Sequence, residues 1–250
     1  MTTAFQVRRV ALVANGDFYV GPSLARILAE RGHDLVLGDP SPELVTELES
    51  LGASVEAVPD VSDLGEPGAA QRLVDAGIAR FGRIDSAVAF SGLIVAGLFR
   101  DATLDDLRKV ERGCLEAPFH FLKAVTPPLF EQREGQVLVI TSAAGARTQI
   151  GTALYAATRA GANMLVKSVA SEVARDNVQV NAVGTNFMDF PEFLRATGAT
   201  DPAVREKIEQ TVPMKRLGTM EEFAAFCAVF LDGSSRFTTG QFVPYAGGWA

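Results

Sequence analysis

Short apolar runs alternate with longer segments of helical periodicity along most of the chain. The runs are rich in Val, Ile, Leu and Ala, and they predict buried strands at 10–14, 34–39, 53–58, 84–90, 136–141 and 178–183. Between them, apolar positions recur every three or four residues, which is typical of amphipathic helices. Strands of this kind that alternate with helices form a parallel sheet. We therefore expect an α/β fold, a single Rossmann-type doubly wound parallel sheet with helices on both faces.

Two segments complicate this regular pattern. A long helix is predicted from about Thr103 to Gln132, and Pro118 and Pro127-Pro128 predict a kink or a break within it. Residues 184–215 have no clear period and are predicted to be irregular, with a lid region at about 185–215. The segment "MEEFAAFCAVFLDG" predicts a last helix before "GQFVPYAGG". Because the chain contains no linker, repeat or low-complexity tract, residues 1–250 are expected to form one domain.

Composition narrows the classes of function. The formal net charge of −7, without a run rich in Lys or Arg, argues against a nucleic-acid or anionic-membrane surface. Cys114 and Cys227, the two cysteines, cannot form a metal cluster and do not suggest a disulfide framework. The beginning of the chain lacks the pattern of a signal peptide, and no apolar stretch reaches about 18 residues. The expected protein is soluble and cytoplasmic.

The loop after the first strand lacks the glycines that a dinucleotide normally requires. It reads "ANGDFYVG" over 14–21, where backbone N–H groups should approach a pyrophosphate. Tyr19 fills space at this point, and Asp17 adds a negative charge. Asp39 at the end of the second strand and Asp60-Val61 after the third keep open the alternative that a variant loop still binds a dinucleotide.

Three residues have the spacing of a catalytic set. Ser142 follows a predicted strand, Tyr155 comes thirteen positions later, and Arg159 lies four positions beyond Tyr155. Residues four apart on a helix share one face, so the guanidinium should lie near the phenol. A permanent positive charge there would favour the phenolate and prepare Tyr155 to act as a base.

With these residues the chain resembles the short-chain dehydrogenase/reductase superfamily over nearly its whole length. The segments "DVSD" (60–63), "VQVNAV" and the C-terminal "GGW" also match. Several positions depart from the family pattern: the glycine loop is broken, lysine is replaced by Arg159, and "AFSG" (89–92) replaces Asn-Asn-Ala-Gly. Cys114 lies about where the long helix would carry a catalytic asparagine.

The departures resemble one branch of that superfamily, the halohydrin dehalogenases. The resemblance implies a lyase that converts vicinal haloalcohols into epoxides and halide, and that opens epoxides with azide, cyanide or nitrite. It implies a Ser142-Tyr155-Arg159 triad, no cofactor, no metal and a homotetramer whose small-molecule partners are a haloalcohol or epoxide and a halide ion. The implied halide site comprises Tyr19, Thr185, Asn186, Phe187 and Met188, and the implied substrate pocket comprises Phe90, Phe190 and Phe193.

Two other functions remain open at this point. The first is an NAD(P)-dependent short-chain oxidoreductase with an atypical cofactor loop. The second is a non-catalytic scaffold with a dehydrogenase-like fold. His33 and His120 are interpreted as structural residues, since one follows a helix-ending glycine and the other lies within the long predicted helix.

Overall fold

Seven strands lie side by side in one parallel sheet in the computed structural model, which describes residues 8–250. They are β1 Arg9–Val13, β2 His33–Gly38, β3 Val55–Val58, β4 Ser86–Phe90, β5 Gly135–Ser142, β6 Val178–Thr185 and β7 Phe242–Tyr245. Their order across the sheet is β3-β2-β1-β4-β5-β6-β7. The chain reverses its direction of winding between β1 and β4. In open sheets of this type, ligands bind outside the carboxyl ends of the strands at that point.

Nine α-helices are found within residues 8–250, and they cover both faces of the sheet. They are α1 Gly21–Glu30, α2 Pro42–Ser50, α3 Ala69–Phe81, α4 Leu104–Glu111, α5 Ala117–Gln132, α6 Ala153–Val173, α7 Pro191–Thr197, α8 Pro202–Thr211 and α9 Met220–Ala228. The two faces carry separate cores, one around Leu73, Phe121 and Val139 and the other around Leu28 and Phe223. This arrangement confirms the predicted Rossmann-type fold.

The long predicted helix is interrupted just before Pro118, and not at Pro127-Pro128. Residues Arg112–Glu116 form a π-helical turn between α4 and α5, while Pro127 and Pro128 lie inside the continuous α5. A π turn inserts an additional residue into the helix and is frequent at functional sites. Gly113 permits the turn to approach the loop after β4, because a Cβ at this position would lie 2.7 Å from the Cβ of Leu93. The expected break is therefore found at Pro118, whereas Pro127-Pro128 does not interrupt α5.

The segment predicted to be irregular contains two short helices. Pro191 and Pro202 each begin one of them, at the helical position where a missing N–H costs nothing. The side chain of Asp201 caps the second helix by accepting from the N–H of Ala203 at 2.8 Å. Neither helix buries a residue, so neither carries the apolar stripe that reveals a helix in a sequence. Within residues 8–250, no helix has both the length and the apolar character needed to cross a membrane.

Candidate active site

Ser142 and Tyr155 lie on adjacent elements at the carboxyl edge of the sheet. Ser142 is the last residue of β5, and its Oγ accepts from the N–H of Ala144 at 3.1 Å. Tyr155 lies in the first turn of α6 and packs in the same hydrophobic cluster as Ala144. The Oγ of Ser142 also donates to the carbonyl of Thr185 at 3.3 Å. Both hydroxyl-bearing side chains are more than nine-tenths buried, so the surrounding protein fixes their positions.

Arg159 is fully buried beside Tyr155. Its guanidinium carbon lies 5.1 Å from the centroid of the Tyr155 ring, over the ring. One Nη donates to Ser91 Oγ at 3.2 Å and the other to the Ser91 carbonyl, whereas Nε has no partner. No ion pair among residues 8–250 involves Arg159. The guanidinium therefore lies beside the phenol without a carboxylate from this part of the chain to neutralise it.

Tyr19 reaches from the first loop to the strand beside Ser142. Its hydroxyl lies 3.0 Å from Thr185 Oγ1, and Thr185 is paired with Ser142 across β5 and β6. The ring packs against Phe90 and Phe190, with both centroid separations at 4.7 Å. Burial raises the pKa of the Tyr19 phenol above its ordinary value, so the hydroxyl stays neutral at physiological pH.

A cleft of about 560 Å³, lined in part by Phe18 and Phe90, opens between the ends of β1, β2 and β4. Asp39 lies in it immediately after β2, and its carboxylate accepts from the N–H groups of Asp60 at 2.6 Å and Val61 at 2.9 Å. Gly113 and Arg112 of the π turn line the opposite wall. The π turn therefore forms part of a ligand-sized cleft; Pro118 predicted a break near this position, but not that the break would line a cleft.

Cys114 fixes the π turn to the loop after β4. Its Sγ lies 3.4 Å from both the N–H and the carbonyl oxygen of Leu93, and the side chain is completely buried. It lies at the position where the sequence resemblance placed a catalytic asparagine. A thiol makes only weak hydrogen bonds, so this residue contributes mainly by holding the turn in place. No group of three or more His, Cys, Asp or Glu side chains suited to a metal ion occurs within residues 8–250.

The residues expected to form a halide site fall into two places. Thr185 lies beside Tyr19, whereas Asn186, Phe187 and Met188 line a separate cavity of about 270 Å³. The N–H of Asn186 donates to the carbonyl of Tyr245 at 3.4 Å, and the N–H of Phe187 donates to the Asn186 side chain at 2.9 Å. These two donors are thus already occupied within the protein.

The residues expected to form a substrate pocket also divide between two roles. Phe90 and Phe190 form contacts with Tyr19, while Phe193 stacks on Phe190 and contacts Phe187 at its edge. A third aromatic residue, Phe223 of α9, lies 5.9 Å from the Tyr19 ring and was not anticipated from the sequence.

Comparison with known proteins assigns the family. Residues 19–250 match the family model described as enoyl-(acyl carrier protein) reductase. The chain belongs to the short-chain dehydrogenase/reductase superfamily. It is 34% identical over 247 residues to the (2S)-[(R)-hydroxy(phenyl)methyl]succinyl-CoA dehydrogenase subunit BbsC of Thauera aromatica, covering 96% of this chain and 94% of that protein. Among solved structures, levodione reductase has a TM-score of 0.86 and 26% identity, covering 98% of each chain.

The expected halohydrin dehalogenase activity is wrong. The superfamily member from Thauera aromatica is a dehydrogenase, and further relatives are the 3-oxoacyl-(acyl-carrier-protein) reductase of Thermotoga maritima and the acetoacetyl-CoA reductase of Synechocystis. One structure described as a dehalogenation enzyme has a TM-score of 0.84 and 29% identity, covering 99% of this chain and 100% of that chain, but the named sequence relatives are oxidoreductases. A serine, a tyrosine and a cation can move a proton in either reaction, so these residues could not distinguish a lyase from an oxidoreductase. The halide site and the haloalcohol pocket were expected only for a lyase, so these two roles do not carry over to an oxidoreductase.

Membership of the superfamily implies a nicotinamide dinucleotide as cofactor. The residues of this chain suit only one end of such a cofactor. Asp39 stands where a carboxylate would bind the hydroxyls of an adenosine ribose, next to a cleft of suitable size. At the pyrophosphate position, the N–H groups of Gly16 and Gly21 already donate to backbone carbonyls, and Asp17 is exposed. Beyond it, Tyr19 occupies the path toward Ser142. The adenosine end fits, and the nicotinamide end does not fit while Tyr19 holds this position.

Proposed function

We propose that this protein is an oxidoreductase that interconverts a secondary alcohol and a ketone with a nicotinamide cofactor. The observation that carries the proposal is the placement of Ser142 and Tyr155 beside Ala144, with the Arg159 guanidinium over the phenol ring. The dehydrogenases and reductases among the relatives support the same class of reaction.

The side chains supply the proton half of this reaction. In reduction, the Tyr155 hydroxyl donates its proton to the oxygen of the substrate carbonyl, and in oxidation the phenolate takes the proton back. Ser142 exchanges its 3.3 Å bond to the Thr185 carbonyl for a hydrogen bond to the same substrate oxygen and so fixes the position of that oxygen. The charge of Arg159 stabilises the phenolate in both directions. When bound, the nicotinamide supplies the hydride to the carbonyl carbon or accepts it from the alcohol carbon.

An acyl thioester is the substrate class that the relatives favour. The names of three of them contain a coenzyme A or acyl-carrier-protein thioester that bears an oxo or hydroxy group. We therefore propose that this protein acts on an oxo or hydroxy group of a thioester substrate.

The cleft favours NAD over NADP. Asp39 is negatively charged at the ribose position, and a carboxylate there accepts from ribose hydroxyls but repels a ribose phosphate. Asp63, in the same cleft, is paired with Arg112 at 2.6 Å, so that cation is not free for a phosphate.

The experiment is a turnover assay with purified protein, in which the absorbance of NADH or NADPH is followed with 3-oxoacyl thioesters and with simple ketones. Turnover is expected with NADH and a thioester. Asp39→Asn should reduce the preference for NADH over NADPH by about tenfold, while Asp75→Asn, a surface change on α3, should leave it unchanged. Absence of turnover with either cofactor over the whole panel would contradict the proposal.

A further inference from the structure

The buried face of α6 carries a third polar side chain in line with Tyr155 and Arg159. Asn163 follows Arg159 by four residues, as Arg159 follows Tyr155, and residues at this spacing share one side of a helix. The side chain of Asn163 is 6% exposed, and a buried amide costs free energy unless it is hydrogen-bonded. The proton transfer proposed above uses Tyr155 and Arg159 but gives no role to this amide.

Asn163 makes one side-chain hydrogen bond within residues 8–250, and its partner precedes the catalytic serine. The hydroxyl of Thr141 donates to Asn163 Oδ1 at 2.7 Å, whereas Asn163 Nδ2 has no partner among these residues. Thr141 is fully buried and is the residue of β5 immediately before Ser142. The bond therefore ties the end of β5 to the helix that carries Tyr155.

The turn after Ser142 rests on the same place in α6. Residues 143–145 form a single 3-10 turn. A Cβ at Gly145 would lie 2.6 Å from Asn163 Nδ2 and 3.0 Å from a backbone nitrogen of α6, an approach that only glycine permits. Ser142 is thus held against α6 by the Thr141 bond on one side and by Gly145 on the other, and Asn163 takes part in both contacts.

We propose that Asn163 is a positioning residue, which sets the distance between Ser142 and Tyr155 through its hydrogen bond to Thr141. A hydrogen bond fixes the distance and direction of its partners, whereas an apolar contact of similar volume holds them less precisely. Both catalytic hydroxyls must reach the same substrate oxygen, so a small change in their separation lowers the rate of the chemical step. This inference rests on the proposed oxidoreductase function for the reaction that is measured.

The test separates positioning from stability in the turnover assay with NADH and a 3-oxoacyl thioester. Thr141→Val leaves the Asn163 amide without its partner, so it should lower kcat by about tenfold and also lower the temperature of thermal unfolding. In Thr141→Val/Asn163→Leu both polar groups are gone, so the unfolding temperature should return toward that of the wild type while kcat stays low. Thr141→Ser keeps the hydroxyl and should retain the wild-type kcat. KM should change by less than about twofold in each variant.

A matched control and a measurement without turnover complete the experiment. Thr126→Val also removes a threonine hydroxyl, one that donates to a carbonyl within α5 at 2.8 Å, and it should leave kcat unchanged. Crystal structures of the wild type and Thr141→Val give the separation of Ser142 Oγ and Tyr155 Oη in each protein. This separation should differ by about 0.5 Å or more between the two, while Thr141→Ser should match the wild type.

The outcomes distinguish the positioning role from the proposed function. If kcat recovers together with stability in the double variant, or if Thr141→Val keeps the wild-type kcat and separation, Asn163 has only a structural role. A rise in KM at unchanged kcat would also contradict positioning. If the wild-type protein turns over no substrate, the proposed function falls, and the separation in the crystal structures decides whether Asn163 positions Ser142.

Discussion

Gly92 leaves free the space that the guanidinium of Arg159 occupies. A Cβ at position 92 would lie 1.8 Å from one Nη of Arg159 and 2.9 Å from its Cζ. The preceding residue, Ser91, accepts from both Nη atoms. The loop after β4 therefore supplies both the space and the hydrogen-bond partners that hold this buried cation over Tyr155.

Gly92→Ala should displace the guanidinium and reduce the catalytic rate by about tenfold, because the cation would no longer lie over the phenol. A loss of affinity without a loss of rate would show that Gly92 does not act through Arg159. Gly32→Ala is the matched control, since Gly32 also has a positive φ but has nothing within 4 Å of the added Cβ. Gly32→Ala should strain the backbone as Gly92→Ala does, but it should leave the catalytic rate unchanged.

Tyr155→Phe should lower the rate of alcohol oxidation by about two to four orders of magnitude, since it removes the group that transfers the proton. The ring is retained, so circular dichroism and thermal unfolding should resemble those of the wild type. Tyr245→Phe removes a phenol on β7 that lies at the second cavity, and it should retain activity. Substantial activity in Tyr155→Phe would exclude Tyr155 as the proton-transfer residue.

His33 should make the fold less stable in weak acid. Its Nδ1 lies 3.0 Å from the carbonyl oxygen of Leu28, its Nε2 is buried without a partner, and the side chain is 2% exposed. Burial, assisted by the charge of Arg9, lowers the pKa of His33 below 6.5. The unfolded chain therefore binds a proton more readily than the folded one, and stability is lost as the pH falls below about 6.5.

The measurement is the midpoint of thermal unfolding at pH 7 and in weak acid. In His33→Gln, this midpoint should fall less between the two conditions than it does in the wild type. His120→Gln, at the other and partly exposed histidine, should show the wild-type dependence. If the midpoint falls by the same amount in His33→Gln and in the wild type, His33 is not the cause of the loss of stability in acid.

The sequence predicted the parts of the molecule that depend on local pattern. The strands are continuous apolar runs, so their number, order of appearance and burial could be anticipated, apart from the closing β7. Ser142, Tyr155 and Arg159 belong to one strand and the helix that follows it, so their spacing in the sequence was enough to predict that they meet at the carboxyl edge of the sheet. The π turn before α5 was signalled only by Pro118, and α7 and α8 were missed because neither buries a residue and neither has an apolar stripe.

The surroundings of Tyr19 could not be predicted because they come from distant parts of the chain. Phe90, Phe190 and Phe223 meet Tyr19 only after four elements have packed together. The error about function has a similar origin. Arg159 and the missing loop glycines are departures from the pattern of the superfamily. Such departures do not by themselves identify the reaction that the protein catalyses.

The transfer of deuterium from labelled NADH tests the central claim most directly. The protein is incubated with NADH that carries deuterium at the transferred position and with a 3-oxoacyl thioester, and the product is analysed by mass spectrometry. The proposed function predicts that the deuterium appears on the carbinol carbon of the product, and that its appearance requires Tyr155. A product that lacks deuterium, or the same labelling with Tyr155→Phe, would contradict it.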